Sequence, residues 1–178
     1  MKDILIIPVG GTICTSLSSE GTLKVDGKAG NLLIENYLKS SSTCKDDANF
    51  TLAENLYILS ENMTVEKWNL IIETYRKYTS QKAYDGVIIA HGTDSLAYSA
   101  ALFSVLLENT KMPVFFVSSN ERLTSVRANG NDNFRCAVEC INYGIDTCWY
   151  NPAGKQIPSD MSITYVIDRL SNLETILL

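Results

Sequence analysis

Two short apolar runs in this 178-residue chain end in the same way, and they restrict the fold more than any other feature. Ile6-Ile7-Pro8-Val9 leads into Gly10-Gly11-Thr12-Ile13, and Val87-Ile88-Ile89-Ala90 leads into His91-Gly92-Thr93-Asp94-Ser95. Apolar runs of this length, bounded by turn residues, predict strands buried on both faces, as in a parallel sheet. In open parallel sheets, ligands bind in the crevice beyond the carboxyl ends of the strands. Two threonine hydroxyls, one with a carboxylate beside it, therefore fall where such folds do their chemistry.

The rest of the chain alternates strand and helix signals. Strands are predicted at Ile4–Val9, Phe50–Leu59, Gly86–Ala90 and Pro113–Val117, with weaker ones at Thr147–Tyr150 and Ile163–Val166. Helices are predicted at Asn31–Leu38, after an N-cap at Thr64, at Ser95–Leu107 and at about Asn133–Asn142. In the second of these, Trp68, Ile71, Ile72 and Tyr75 recur at helical spacing. Such alternation implies right-handed crossovers and an α/β domain, residues 1–178, whose mostly parallel sheet is covered on both faces. Lys39–Ala48 reads as a polar surface loop. Cys14–Lys28, rich in Ser and Gly, has two readings, a mobile lid and a plain surface loop.

Composition narrows the function classes. With 46% hydrophobic and 20% charged residues, the chain matches an ordinary globule. A net charge of −5, with Lys and Arg scattered along the chain, argues against a nucleic-acid partner. No stretch approaches the roughly eighteen apolar residues of a membrane span. Met1-Lys2-Asp3 passes straight into a strand rather than a secretory signal, which gives a cytoplasmic expectation. The five cysteines lack paired metal-ligand spacing, and the sole histidine is His91, so no metal site is expected. Reduced, mostly buried thiols are the simpler reading; a Cys14–His91 nucleophile pair is the other.

Gly10-Gly11-Thr12 permits a sharp turn close to a ligand. It lacks the spacing of a dinucleotide fingerprint and has no P-loop lysine. Asp94 and Ser95 sit where a helix begins, so a cap worth about 1 kcal/mol accounts for either of them. That leaves the Thr93 hydroxyl unexplained. A threonine is a poor nucleophile until a neighbour removes its proton, and a carboxylate beside a helix amino terminus is one part of such a relay. Leu59-Ser60-Glu61-Asn62-Met63-Thr64 is a third strand-end turn, either a cap or a holder of substrate.

These motifs resemble the bacterial-type L-asparaginase family of threonine amidohydrolases over about Asp3 to Tyr143. Gly10-Gly11-Thr12-Ile13 is similar to its first signature and Asp85 to Ser95 to its second. Thr64-Val65-Glu66-Lys67-Trp68 and Asn131-Asp132-Asn133-Phe134 fit the intervening segments. The resemblance implies a flavodoxin-like, three-layer domain that hydrolyses a small side-chain amide, such as that of L-asparagine, to a carboxylate and ammonia. It makes Thr12 the nucleophile and places Thr93 and Asp94 in a second catalytic group. Ser60, Glu61 and Asp94 would contact the substrate, and the backbone around Ser119 would face the leaving amide. No cofactor or metal is implied, and a homo-oligomer is.

The chain also departs from the family pattern. Thr22 stands where the family has a loop tyrosine, and Ser162, Ile163 or Thr164 near its relay lysine, with Lys155 several residues early. Loss of such an acid/base group typically costs about 10²- to 10⁴-fold in rate. Ser118-Ser119-Asn120-Glu121 stands where the family usually has a glycine, a small residue and then Gln or Met, so the extra bulk is at Ser118. Residues 143–178 match poorly, and the family's smaller carboxy-terminal domain is absent from the sequence. The alternatives are a degenerate domain that binds a small amino acid without turnover, and an amidase for a larger substrate.

Overall fold

The computed structural model describes residues 1–17, 23–25, 27–40, 47–144, 148–150, 152–156 and 164–172. It forms two compact units, Met1–Tyr143 and Gly144–Leu178.

In the first unit, strand β1 (Lys2–Pro8) is followed by the short strands β2 (Thr15–Leu17) and β3 (Leu23–Val25), then helix α1 (Ala29–Lys39) and strand β4 (Ala48–Leu52). Helix α2 (Val65–Gln81), strand β5 (Gly86–Ala90), helix α3 (Leu96–Leu106), strand β6 (Val114–Val117) and helix α4 (Gly130–Tyr143) complete it. The main sheet has the order β4-β1-β5-β6, and every neighbouring pair is parallel. Ile4 stands opposite both Phe50 and Gly86, and Ile89 opposite Phe116. The α/β expectation of a flavodoxin-like parallel sheet holds.

Alternation along the strands divides the core between two faces. Ile4, Ile6, Ile88 and Ala90 pack with Leu33 and Tyr37 of α1 and Phe134 and Val138 of α4. Leu5, Ile7, Val87 and Ile89 point the other way, onto Ile71, Ile72 and Tyr75 of α2 and Phe103 of α3. Because both faces are covered, β5 is buried throughout and shows no polar alternation.

Three local readings are corrected. The strand expected over Phe50–Leu59 ends at Leu52. Residues 53–58 still donate to β1 and its extension, from Ala53 to Ile6, Leu56 to Pro8 and Ile58 to Val9. The regular ladder is broken where Asn55 Oδ1 accepts the Tyr57 amide and Tyr57 turns left-handed, with φ 55°. The region 14–28, read as loop, holds the antiparallel pair β2–β3. Thr64 precedes α2, and its carbonyl accepts the Trp68 amide, but its hydroxyl makes no capping bond to the helix backbone. Residues 41–46 of the expected polar loop lie outside the described residues.

In the second unit, β7 (Cys148–Tyr150) and β8 (Tyr165–Ile167) pair in parallel, with Cys148 opposite Tyr165. No helix among the described residues is long and apolar enough to cross a membrane.

Candidate functional site

The chain runs from β1 to β4 on one side and then crosses back to β5 on the other, so the sheet order reverses between β1 and β5. That is the topological switch point, where open α/β sheets form a crevice. Here the strand ends approach main chain to main chain. A Cβ on Gly11, whose φ is 74°, would stand 2.2 Å from the Gly92 Cα. A Cβ on Gly92 would stand 2.3 Å from the Ser60 Oγ. Only residues without side chains fit at Gly11 and Gly92, and their contact brings Thr12 and Thr93 to the same place.

The result is a crevice of about 550 Å³ lined by Thr12, Ser60, Glu61, Thr93 and Asp94, together with Thr15, Leu59, Glu121 and Arg122. Five of the six residues singled out from sequence therefore share one cavity. Ser119, the sixth, is buried and is not among the lining residues. Its hydroxyl donates to the Glu121 carbonyl and accepts the Gly130 amide at 3.1 Å, which ties the turn after β6 to the start of α4.

Thr12 opens a single 3-10 turn, Thr12–Cys14, and its carbonyl accepts the Thr15 hydroxyl at 3.0 Å. The hydroxyls of Thr12 and Thr93 have no partner among the described residues, which leaves both available to a ligand. Asp94 is held from below: the Ser60 hydroxyl donates to its Oδ2 at 3.1 Å and accepts its amide at 3.3 Å. Ser95 stands at the cap position of α3 yet gives its hydroxyl to the Ser60 carbonyl at 2.9 Å. The helix cap expected from Asp94 or Ser95 is thus replaced by a clasp between two strand-end turns.

Beneath this clasp lies a buried polar chain. His91 is fully buried, its Nδ1 at 2.8 Å from the Gly92 carbonyl and its Nε2 at 3.0 Å from the Ser99 hydroxyl. The Trp68 indole donates to the same hydroxyl at 2.8 Å. A carbonyl can only accept, so Nδ1 carries the proton and Ser99 donates to Nε2. Burial holds the imidazole below its usual range and keeps it neutral. Cys14 is buried too, and desolvation pushes its thiol up to about 12. Both are neutral core groups, and His91 spends its ring nitrogens on Gly92 and Ser99, so the Cys14–His91 pair is not formed.

Charge in the crevice comes from Glu61, Asp94, Glu121 and Arg122. Glu121 is already satisfied, by Arg127 at 3.0 Å and by the Ser125 hydroxyl. Among the described residues no lysine lines the cavity. Lys155 and Thr164 are exposed residues of the second unit. Thr22, Ser162 and Ile163 lie outside the described residues. The sequence reading did not single out Thr15, Glu121 or Arg122 as lining residues; in the turn after β6 it noted bulk at Ser118. A usable signal existed, since Glu121 and Arg122 follow β6 much as Thr12 and Thr93 follow their own strands.

Comparison with known proteins identifies relatives of the chain. Residues 3–144 match the family model of the asparaginase amino-terminal domain. The chain is 32% identical over 154 residues to L-asparaginase 1 of Escherichia coli (strain K12), covering 84% of this chain and 44% of that protein. It is 33% identical over 147 residues to a component of the glutamyl-tRNA(Gln) amidotransferase of Archaeoglobus fulgidus, covering 82% and 33%. The thermostable L-asparaginase from Thermococcus kodakarensis superposes with a TM-score of 0.69 at 25% identity, covering 82% of this chain and 42% of that one. The chain thus spans less than half the length of these relatives. It belongs to the asparaginase family, with residues 3–144 forming the amino-terminal domain.

Proposed function

We propose that this domain is an amidohydrolase that cleaves a small amide, L-asparagine or a close relative, through Thr12. The observation that carries the reading is the convergence of the Thr12 and Thr93 hydroxyls with the Asp94 carboxylate in one crevice at the switch point. Thr12 Oγ bonds to the amide carbon and the carbon–nitrogen bond breaks; the hydroxyl proton leaves with the nitrogen as ammonia. Water, placed by Thr93, then adds to the acyl carbon and the bond from that carbon to Thr12 Oγ breaks; one proton of the water goes to Thr12 Oγ and the other to the released ammonia, leaving the carboxylate product. Asp94, fixed by Ser60, takes the substrate's ammonium, and Glu61 adds a second negative charge on the same side. The backbone near Ser119 borders the leaving group.

The reading includes self-association and a cytoplasmic setting, the latter in keeping with the probable cytoplasmic L-asparaginase from Campylobacter jejuni, which is 26% identical with a TM-score of 0.60. The test is ammonia release from L-asparagine by the purified chain, with Thr12→Ala as control. We expect a loss of at least about 10²-fold in the variant. Equal turnover in both removes Thr12 as nucleophile. No turnover, with Asp94-dependent binding of aspartate, leaves a binding domain in place of an enzyme.

A further inference from the structure

We infer that Cys136 and Cys140, one turn apart on α4, form a two-sulfur site for a soft monovalent cation, Cu(I). Both are free thiols; Cys136 is exposed and Cys140 half-buried. Neither lines the crevice, and neither belongs to the core. The stripe of α4 that packs against the sheet is Phe134, Ala137, Val138 and Ile141. At about 100° per residue, Cys136 and Cys140 project from the opposite half of the helix, about 40° from each other. A free cysteine is ordinarily among the most buried of residues and serves as a small apolar side chain. Packing accounts for Cys14 in that way, and it does not account for this pair.

Residues four apart on a helix have Cβ atoms about 5–6 Å from each other. A disulfide needs about 3.5–4.5 Å between them, so the helix keeps the two sulfurs from bonding directly while it stays helical. A cation between them fits the spacing. Two metal–thiolate bonds of about 2.3 Å span about 4.6 Å, which sulfurs leaning toward each other can reach. Burial pushes the Cys140 thiol up, and the nearby Cys136 and Glu139 add to the rise, so the two sulfurs stand within electrostatic reach. A thiol held protonated makes a poor redox sensor, because oxidation proceeds through the thiolate. A metal removes the proton outright. Two S–H protons leave to solvent, two sulfur–copper bonds form, and the copper stays Cu(I) throughout.

The size of the ligand set selects the ion. Among the described residues, no group of three or more His, Cys, Asp and Glu could hold a metal. Zinc, with four ligands, and calcium, with six to eight oxygens, therefore find no coordination shell there. Thiolate is the donor that favours Cu(I), and Cu(I) is satisfied by two sulfurs in line. The missing paired spacing that argues against a zinc site does not bear on a two-coordinate ion.

The test is a competition for Cu(I), supplied as the reduced ion without oxygen, between the full chain and the chromogenic chelator bicinchoninate. The chain is expected to withdraw one Cu(I) per molecule, with two sulfur neighbours in X-ray absorption. Cys136→Ser and Cys140→Ser should each weaken binding by more than about 100-fold, beyond the cost of losing a residue that merely supports a metal ligand. Cys44→Ser with Cys148→Ser should leave it unchanged. Serine at the exposed Cys136 should leave the thermal midpoint unchanged, so that lost binding there is a lost ligand and not a lost fold. Cys140→Ala repeats the measurement at the half-buried position without adding a polar atom.

Full affinity in either single variant, loss of binding in the Cys44 and Cys148 double variant, or no withdrawal from the chelator would each overturn the proposal. So would half an equivalent per chain with dimerisation, lost in Cys136→Ser alone, since that copper would bridge two chains through the exposed thiol. Ammonia release enters none of these readings, so the fate of this site is separate from that of the enzyme.

Discussion

Replacing Ser99 by alanine removes one oxygen and strands two nitrogens, the Trp68 Nε1 at 2.8 Å and the His91 Nε2 at 3.0 Å. His91 is completely buried, so its ring nitrogen has no route to water and carries the full cost of an unpaired buried group, about 1–3 kcal/mol. Trp68 is half-buried and can recover part of its bond from solvent, so its share is nearer the net value of an ordinary hydrogen bond, about 1 kcal/mol. The sum, about 2–4 kcal/mol, is a large part of a domain's usual stability of about 5–15 kcal/mol. Equilibrium unfolding in urea measures it, with the slope checked for two-state behaviour. Ser104→Ala is the internal control. It lies on the same helix, its hydroxyl donates to the Ala101 carbonyl at 2.7 Å, and it is exposed; its cost should stay within about 0.5 kcal/mol. If Ser99→Ala and Ser104→Ala destabilise equally, the buried chain contributes nothing and the reasoning fails.

Other perturbations probe separate parts of the fold. Gly92→Ala places a methyl 2.3 Å from the Ser60 Oγ, and such overpacking costs about 1–3 kcal/mol. Ser60→Gly in the same chain should recover part of the melting temperature, and no recovery would refute the contact. Phe134→Ala should cost about 3–5 kcal/mol, since the ring is fully buried between Tyr37 and Phe50 at centroid distances of 6.0 Å; urea unfolding reads this directly. Stability should also fall as pH drops below about 6.5. Burial lowers the folded pKa of His91, so the unfolded chain takes up a proton that the folded chain refuses. Because His91 is the sole histidine, His91→Gln should flatten the profile from neutral pH down to the range where carboxylates such as Asp85 begin to titrate. A flat profile in the unsubstituted chain over that window would refute the assignment.

Some of this architecture is readable from the residues and some is not, for physical reasons. Strands β1 and β5 are apolar on both faces, so position along the chain hardly matters to the pattern and both are found. The segment after β4 misleads because Leu56, Ile58 and Leu59 continue an apolar run while Asn55 and Tyr57 break the backbone geometry. The β2–β3 pair is short, and serines dilute its signal. At the site, Thr12, Thr93 and Asp94 announce themselves by following glycines at strand ends, and Ser60 and Glu61 by preceding a helix. Arg122 does not, because the polar stretch from Ser118 to Asn129 contains two arginines and nothing local says which faces the crevice. Only the bond from Arg127 to Glu121 distinguishes them. Likewise no periodicity could reveal that Ser99, on an almost wholly apolar helix, meets an imidazole eight residues earlier in the chain.

The contact between Gly11 and Gly92 has a consequence for how this family of sites can diversify. It joins two backbones with no side chain between them, so the spacing of the two threonines is set by the sheet itself and is insulated from ordinary substitution. The side chains of Glu61 and Arg122 line the crevice from turns beyond the strand ends and can change without moving the centre. One part of the molecule is thereby kept constant while the other is free to vary, and new ligands can be acquired by altering those turns alone.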